Sequence, residues 1–262
     1  MKLDIFYCEK CGLYSAGKSE NEVKESVTEL YESEYWRTTS VDGNNYNRVD
    51  DTKANDEGKK RNWISQYSYC KQYLLSKKII LDVGSGLGHA LVWFEEEGHI
   101  VTGIEPDPKN VELINKKLNQ GNCIHGYVEE IDLNTKFDII WMSHVLEHLI
   151  RPDLFLEKIK NNLKKNSIFF IEVPDCENNE TFHDSLLAPH TFHFSKNALT
   201  KLVERTGFSV ISCDSFRPAT KFEGGIHKIF GKITKKYAHY PRILTNEKDG
   251  KDLRIILKLK DE

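Results

Sequence analysis

Short apolar runs alternate with amphipathic segments of helical length between about residues 74 and 215. Ile79 to Val83 and Ile139 to Met142 are almost continuously hydrophobic, as expected for strands covered by helices on both faces. This alternation predicts βαβ units and a parallel sheet. Two more strands are predicted, one in FSVISCDSF after Gly207 and one in the alternating DLRIILKLK near the C-terminus.

The composition limits the classes of partner. A formal charge of -3 over 262 residues gives no general attraction to nucleic acid or to an anionic membrane, so neither is expected as a partner. The N-terminus lacks the apolar core of a signal peptide, and no apolar run is long enough to span a bilayer. These features predict a cytoplasmic protein, expected to be a monomer or a homodimer.

A glycine-rich turn stands between a predicted strand and a predicted helix in LDVGSGLGHALVWF. Gly84, Gly86 and Gly88 follow Asp82 of the strand, and such a turn lets the backbone approach a nucleotide-bearing cofactor. The dinucleotide fingerprint requires a third glycine where this chain has His89. A nicotinamide-dependent reductase is therefore a disfavoured alternative.

The next predicted strand ends in GIEPD, where Glu105 can accept hydrogen bonds from both hydroxyls of a ribose. The patterns LDVGxGxG, GIEPD, FDxIxxxxVLEHL and LKxxxxxxIxVPD together resemble the class I S-adenosylmethionine-dependent methyltransferases, in particular their small-molecule branch. The resemblance covers the chain from about Arg61 to Ser215.

This resemblance implies an α/β fold with a Rossmann-like sheet of seven strands. The sheet should be mostly parallel with an antiparallel last strand, and helices should cover both faces. The catalytic domain is expected at 61–262 with a basic insertion at 216–251. Residues 1–60 are expected to hold a remnant of half a zinc ribbon and a cap or mobile lid.

The cofactor implied by the resemblance is S-adenosylmethionine. In that family the glycine loop and its preceding acid hold the methionine end and the ribose. An acid usually meets the adenine, but Tyr127 stands at that position here, so the adenine contact is assigned to the next two residues. The implied cofactor residues are Asp82, Gly84, Ser85, Gly86, Gly88, Glu105, Pro106, Val128, Glu129, Ser143 and His144.

Three histidines and one tyrosine are candidates for the methyl-transfer step. A base is needed when a hydroxyl acceptor must lose its proton, and histidine suits that role near neutral pH. His144 follows a predicted strand and is a candidate base. The resemblance brings His190 and His193 of APHTFHFS to the same edge, and either of these two could be a base, a substrate ligand or a loop anchor. Tyr35 of YESEYW corresponds to a tyrosine cap, or it only packs the N-terminal helix.

Residues 144–148, HVLEH, also match the H-x-x-E-H metalloprotease signature. That motif belongs on a helix with a third ligand downstream, whereas this one follows an apolar strand. The match is therefore interpreted as accidental, and no metal is predicted.

Cys8 and Cys11 lie in FYCEKCGLY, which resembles the second half of a zinc ribbon found before the catalytic domain of some sugar C-methyltransferases. A closed zinc site needs four ligands, so a half-knuckle without metal is predicted unless two chains share one ion.

The segment from Phe216 to Lys251 carries nine lysines and arginines against three acids. If it overhangs the site, it would steer an anionic small-molecule acceptor, whereas a solvated amphipathic helix is the alternative. The sequence thus predicts methyl transfer to an oxygen or nitrogen of a small polar, anionic acceptor, phosphorylated or nucleotide-linked, in surface polysaccharide synthesis. Sugar C-methylation and a non-catalytic cofactor-binding module are the alternatives.

Overall fold

The computed structural model describes residues 5–17, 19, 21–25, 39–41, 44–46, 52–187, 190–220, 222–223, 242–245 and 249–260. The predictions for Tyr35 and for most of the basic segment 216–251 fall outside these residues. Within the described part, no helix combines the length and the apolar character needed to cross a membrane.

The described elements alternate along the chain as the hydrophobic pattern indicates. The strands are β1 Ile5–Tyr7, β2 Tyr14–Ala16, β3 Thr39–Val41, β4 Asn44–Tyr46, β5 Ile79–Val83, β6 Ile100–Glu105, β7 Asn122–His125, β8 Phe137–Ser143, β9 Leu163–Pro174, β10 Phe192–His193, β11 Phe208–Pro218, β12 Arg242–Thr245 and β13 Asp252–Leu259. The helices are α1 Thr52–Tyr69, α2 His89–Glu96, α3 Pro108–Lys117, α4 Pro152–Ile159, α5 Asn179–Leu187 and α6 Lys196–Arg205.

Eight strands form the main sheet, in the order β12-β11-β13-β9-β8-β5-β6-β7. The five strands from β9 to β7 are mutually parallel, and β13 runs antiparallel between β9 and β11. The Rossmann-like mixed sheet predicted from the sequence is confirmed. The eighth strand, β12, is an addition that pairs with the edge of β11 and arises inside the predicted insertion.

The two faces of the sheet explain the continuous apolar runs. In β5, Leu81 and Val83 pack into one hydrophobic cluster with α4 and α6, whereas Ile80 packs into the other with α1, α2 and α3. Trp141 of β8 is on the second face, and its neighbour Met142 is on the first. Because both faces are covered by helices, the successive side chains of Ile80–Val83 and of Ile139–Met142 are all buried.

The predicted domain boundary between residues 60 and 61 falls inside α1. The described N-terminal residues also do not form a separate unit, because β2 of the β1–β2 hairpin pairs with β10 of the following domain. Part of the predicted lid is regular: β3 pairs with β4, and α1 begins at Thr52. In the hairpin turn, Cys8 and Cys11 are free thiols, and no third metal ligand joins them among the described residues.

Candidate active site at the carboxyl edge of the sheet

The glycine turn is anchored to the end of β6. Gly84 and Ser85 donate their backbone N–H groups to the carbonyl of Ile104, at 2.9 and 3.0 Å, and Gly86 donates to the carboxylate of Glu105 at 2.7 Å. These N–H groups therefore hold the turn itself. What the turn offers to a ligand is close approach of the backbone, since Gly84, Gly86 and Gly88 all have positive φ.

Replacing Gly88 with alanine is expected to lower the free energy of unfolding by about 2–5 kcal/mol. Its φ is +75°, and an added Cβ would lie 2.5 Å from Cγ1 of the fully buried Ile114. The left-handed backbone costs a side chain about 1–2 kcal/mol, and overpacking costs about 1–3 kcal/mol. Urea unfolding would measure the change. Gly98→Ala is the matched control, because φ is +89° there but the added Cβ meets nothing within 4 Å. Equal losses for both variants would contradict the packing argument.

Glu105 is the buried acid of this edge, with 2% of its surface exposed. Its carboxylate accepts hydrogen bonds from the N–H of Gly86 at 2.7 Å and of Asp107 at 3.1 Å. Burial raises the pKa of Glu105 to about 7 although these hydrogen bonds oppose the shift. Burial likewise raises the pKa of Asp82, in the strand before the turn, to about 7.

A cavity of about 170 Å³ opens at this edge. It is bounded by seven of the eleven predicted cofactor residues: Gly84, Glu105, Pro106, Val128, Glu129, Ser143 and His144. The other four do not line the cavity but belong to the end of β5 and to the glycine turn: Asp82, Ser85, Gly86 and Gly88. Six lining residues were not predicted as contacts: Ile104, Gly126, Tyr127, Val145, His148 and Leu149.

Glu129 links this cavity to helix α4. Its carboxylate accepts hydrogen bonds from the N–H of Arg151 at 2.9 Å and of Ile150 at 3.4 Å. An acid at a helix N-terminus satisfies N–H groups that have no partner within the helix. Glu129 therefore stabilises the N-terminus of α4 and also lines the cavity.

His144 stands between two buried carboxylates at the end of β8. Its Nε2 lies 3.3 Å from Oε1 of Glu172, and its Nδ1 lies 3.4 Å from Oε1 of Glu147. Burial alone would lower the pKa of His144, but the two carboxylates outweigh it and raise the pKa well above its usual range. The raised pKa favours the protonated imidazole, which has no free lone pair to accept a proton. Its φ of +55° is unusual for a residue other than glycine.

A buried network that the sequence interpretation missed holds His144 in place. Glu172, 0% exposed, forms a 2.6 Å ion pair with the equally buried Arg254 of β13. The same carboxylate accepts hydrogen bonds from Ser143 at 3.0 Å and from Gln66 at 2.5 Å. Despite burial, the charges of Arg254 and His144 hold the pKa of Glu172 well below its usual range.

The structure brings the remaining predicted histidines to the same place. The N–H of Thr191 donates to the backbone carbonyl of Glu147 at 2.8 Å, which fixes the loop carrying His190 and His193 against the 146–148 turn. The rings of His190 and His148 contact each other edge to face, with centroids 4.7 Å apart. Burial lowers the pKa of both His190 and His193 to about 4, so both are neutral at pH 7.

The chain resembles known families and proteins in sequence and in fold. The sequence model of a family described as a methyltransferase domain matches residues 55–213. The chain is 29% identical over 154 residues to a tRNA U34 carboxymethyltransferase of Mannheimia succiniciproducens, covering 53% of this chain and 47% of the relative. It is 33% identical over 98 residues to the mitochondrial ubiquinone biosynthesis O-methyltransferase of Schizosaccharomyces pombe, covering 35% of this chain and 36% of the relative. The chain thus spans less than half the length of these relatives.

Solved structures share the fold. A possible histamine N-methyltransferase of Thermotoga maritima has a TM-score of 0.58 at 18% identity, covering 81% of this chain and 96% of that one. A 1,6-didemethyltoxoflavin-N1-methyltransferase of Burkholderia thailandensis, with S-adenosylhomocysteine bound, has a TM-score of 0.57 at 14% identity, covering 98% of this chain and 100% of that one. At these identities the likeness concerns the fold alone.

Proposed function

The chain belongs to the class I S-adenosylmethionine-dependent methyltransferases, and on that premise we propose that it methylates an oxygen or nitrogen of a small polar acceptor. The observation that carries the proposal is the cavity at the carboxyl edge, where a glycine turn and a buried acid meet the histidines after β8. Ligands of open α/β sheets bind at this edge.

The residues of the cavity fit the cofactor. Glu105 offers carboxylate oxygens for the ribose hydroxyls, and the missing side chain of Gly84 leaves the backbone accessible beside it. Ile104, Val128 and Leu149 provide apolar walls, as an adenine ring requires. Ser143 and His144 are proposed to line the methionine end. Bound S-adenosylmethionine supplies a methyl carbon that is already electrophilic, so the protein's task is alignment and exclusion of water.

We place the acceptor beside His144 and His148, which line the cavity. Of the predicted catalytic histidines, His144 alone is a lining residue; His190 contacts the ring of His148, and His193 lies beside His190. His144 faces the cavity with 43% of its side chain exposed, while Glu147 and Glu172 fix its ring. A ring held in this way can orient an acceptor without moving.

The acceptor is proposed to be anionic, because the segment from Phe216 to Lys251 carries nine basic residues against three acids. It begins with the last three residues of β11, whose C-terminal end lies at the same edge of the sheet as the C-terminal ends of β5 and β8. A phosphorylated or nucleotide-linked metabolite, such as a surface polysaccharide precursor, would match this charge.

The test combines cofactor binding with product analysis. Calorimetry should show one site for S-adenosylhomocysteine and none for NAD. Methyl-labelled S-adenosylmethionine should then label a small metabolite of a cell extract, and mass spectrometry would identify the methylated atom. Treating the extract with phosphatase should abolish labelling if the acceptor is phosphorylated. Unchanged labelling would reject a phosphorylated acceptor, whereas cofactor binding without any labelled product would support a binding module.

A further inference from the structure

We propose that Glu147, His148 and His190 form a binding site for one divalent transition-metal ion, with Zn²⁺ as the best-fitting ion. One nitrogen or oxygen atom from each of these side chains lies within 4.8 Å of the others. The three residues come from the turn after β8 and from the loop before β10, and no other such group of three is found among the described residues.

The first argument is the state of Glu147. This side chain is 1% exposed, and within the described part of the chain neither carboxylate oxygen accepts a hydrogen bond. Nδ1 of His144 lies 3.4 Å from Oε1 of Glu147. A buried carboxylate without hydrogen-bond donors is costly, and coordination of a cation is one of the few ways to offset that cost.

The second argument is the type and number of the ligands. Two imidazoles and one carboxylate form the protein ligand set of several catalytic zinc sites, in which a fourth position stays open for water or substrate. Imidazole nitrogen favours Zn²⁺, Fe²⁺ or Ni²⁺ over Mg²⁺, which prefers a shell of oxygen atoms. Ligand bonds of about 2.1 Å require neighbouring ligand atoms about 3.4 Å apart in a tetrahedral site. Small side-chain rotations would therefore close the present arrangement around an ion.

The third argument is the rigidity of the frame. The N–H of Thr191 donates to the carbonyl of Glu147, so the backbone next to His190 is joined directly to the backbone of the first ligand. β10 is in turn paired with β2 of the N-terminal hairpin. Two ligands adjacent in sequence and a third fixed by this backbone hydrogen bond need little ordering when an ion binds.

His148 also lines the cavity, so the bound ion would lie next to the proposed acceptor position. This part of the inference rests on the proposed function: an acceptor with a hydroxyl, carboxylate or phosphate oxygen could occupy the open position. Binding of the ion itself does not depend on methyl transfer and can be measured without the cofactor.

The test measures metal binding in the full chain after removal of metal with a chelator. Zn²⁺ titration by calorimetry should show one tight site per chain, Co²⁺ should give visible absorption bands, and Mg²⁺ should not compete. Glu147→Gln and His190→Asn should each weaken Zn²⁺ binding about 100-fold or more, because even residues that only support metal ligands contribute 10–100-fold. His183→Asn is the matched control, since His183 is 74% exposed on α5 and should leave binding unchanged.

Two further measurements distinguish the proposed site from metal binding by the cysteines and from loss of folding. The double variant Cys8→Ser, Cys11→Ser removes the thiol pair and should retain the tight site. If that variant loses Zn²⁺ while Glu147→Gln and His190→Asn keep it, the proposed site is wrong. Binding of S-adenosylhomocysteine to each variant reports on folding. Normal cofactor binding without any tight metal site would overturn this inference and leave the proposed function intact.

Discussion

Replacing Glu105 with alanine is expected to weaken the binding of S-adenosylhomocysteine about 100-fold. Each charge-assisted hydrogen bond to a ribose hydroxyl contributes about 1.5–3 kcal/mol, so losing two of them accounts for at least this factor. Calorimetric titration of wild type and variant would measure the change. Glu112→Gln removes a charge from the surface of α3, where the carboxylate only pairs with Lys116, and should bind normally.

The same carboxyl group predicts the pH dependence of cofactor binding. Because burial raises the pKa of Glu105 to about 7, the acceptor form dominates above that pH. Affinity should therefore fall below pH 7, by up to about tenfold per pH unit, and level off above about pH 8. The Glu105→Ala variant should not show this fall in cofactor affinity below pH 7. A wild-type affinity that is constant from pH 5.5 to 8 would contradict the role assigned to Glu105.

Replacing Arg254 with methionine is expected to lower the free energy of unfolding by about 3–5 kcal/mol, because it leaves the buried charge of Glu172 without its main partner. Guanidinium chloride unfolding would measure the loss. Replacing both members of the pair with methionine should recover part of it, since exchanging a buried ion pair for apolar residues is often neutral.

Lys258→Met on the same strand is the control for the Arg254 variant. Lys258 is exposed, so its replacement should change stability by less than about 0.5 kcal/mol. If Arg254→Met lowers the free energy of unfolding by less than about 1 kcal/mol, the Glu172–Arg254 ion pair does not contribute the stability proposed for it.

The sheet and the glycine turn were predictable because their signals are local. Continuous apolar runs identify strands covered on both faces, and three glycines between Val83 and His89 can be read without knowing what lies nearby. The same holds for Glu105, since it is the last residue of the strand next to that turn. The exact number of strands was not predictable, because β12 is short and belongs to a mostly polar segment.

The network beneath the site depends on contacts between distant residues. Glu172 and Arg254 are directly opposed on β9 and β13, but 82 residues separate them along the chain. A single acid within the apolar IFFIEV and a single arginine within DLRIIL were the available signals. Reading them as a pair required knowing that these two strands are neighbours. Similarly, the loop that carries His190 is joined to Glu147 by a backbone hydrogen bond from Thr191, which no motif records.

The position of β13 between β9 and β11 has a consequence for how the protein is made. During synthesis, the strands from β5 to β11 leave the ribosome before the strand that must enter the middle of their sheet. Until residues 252–259 emerge, β9 keeps an open edge and Glu172 has no arginine beside it. Nascent chains halted before residue 252 should therefore expose β9 as an aggregation-prone, protease-sensitive strand edge, and the sheet should become ordered only after residues 252–259 have emerged.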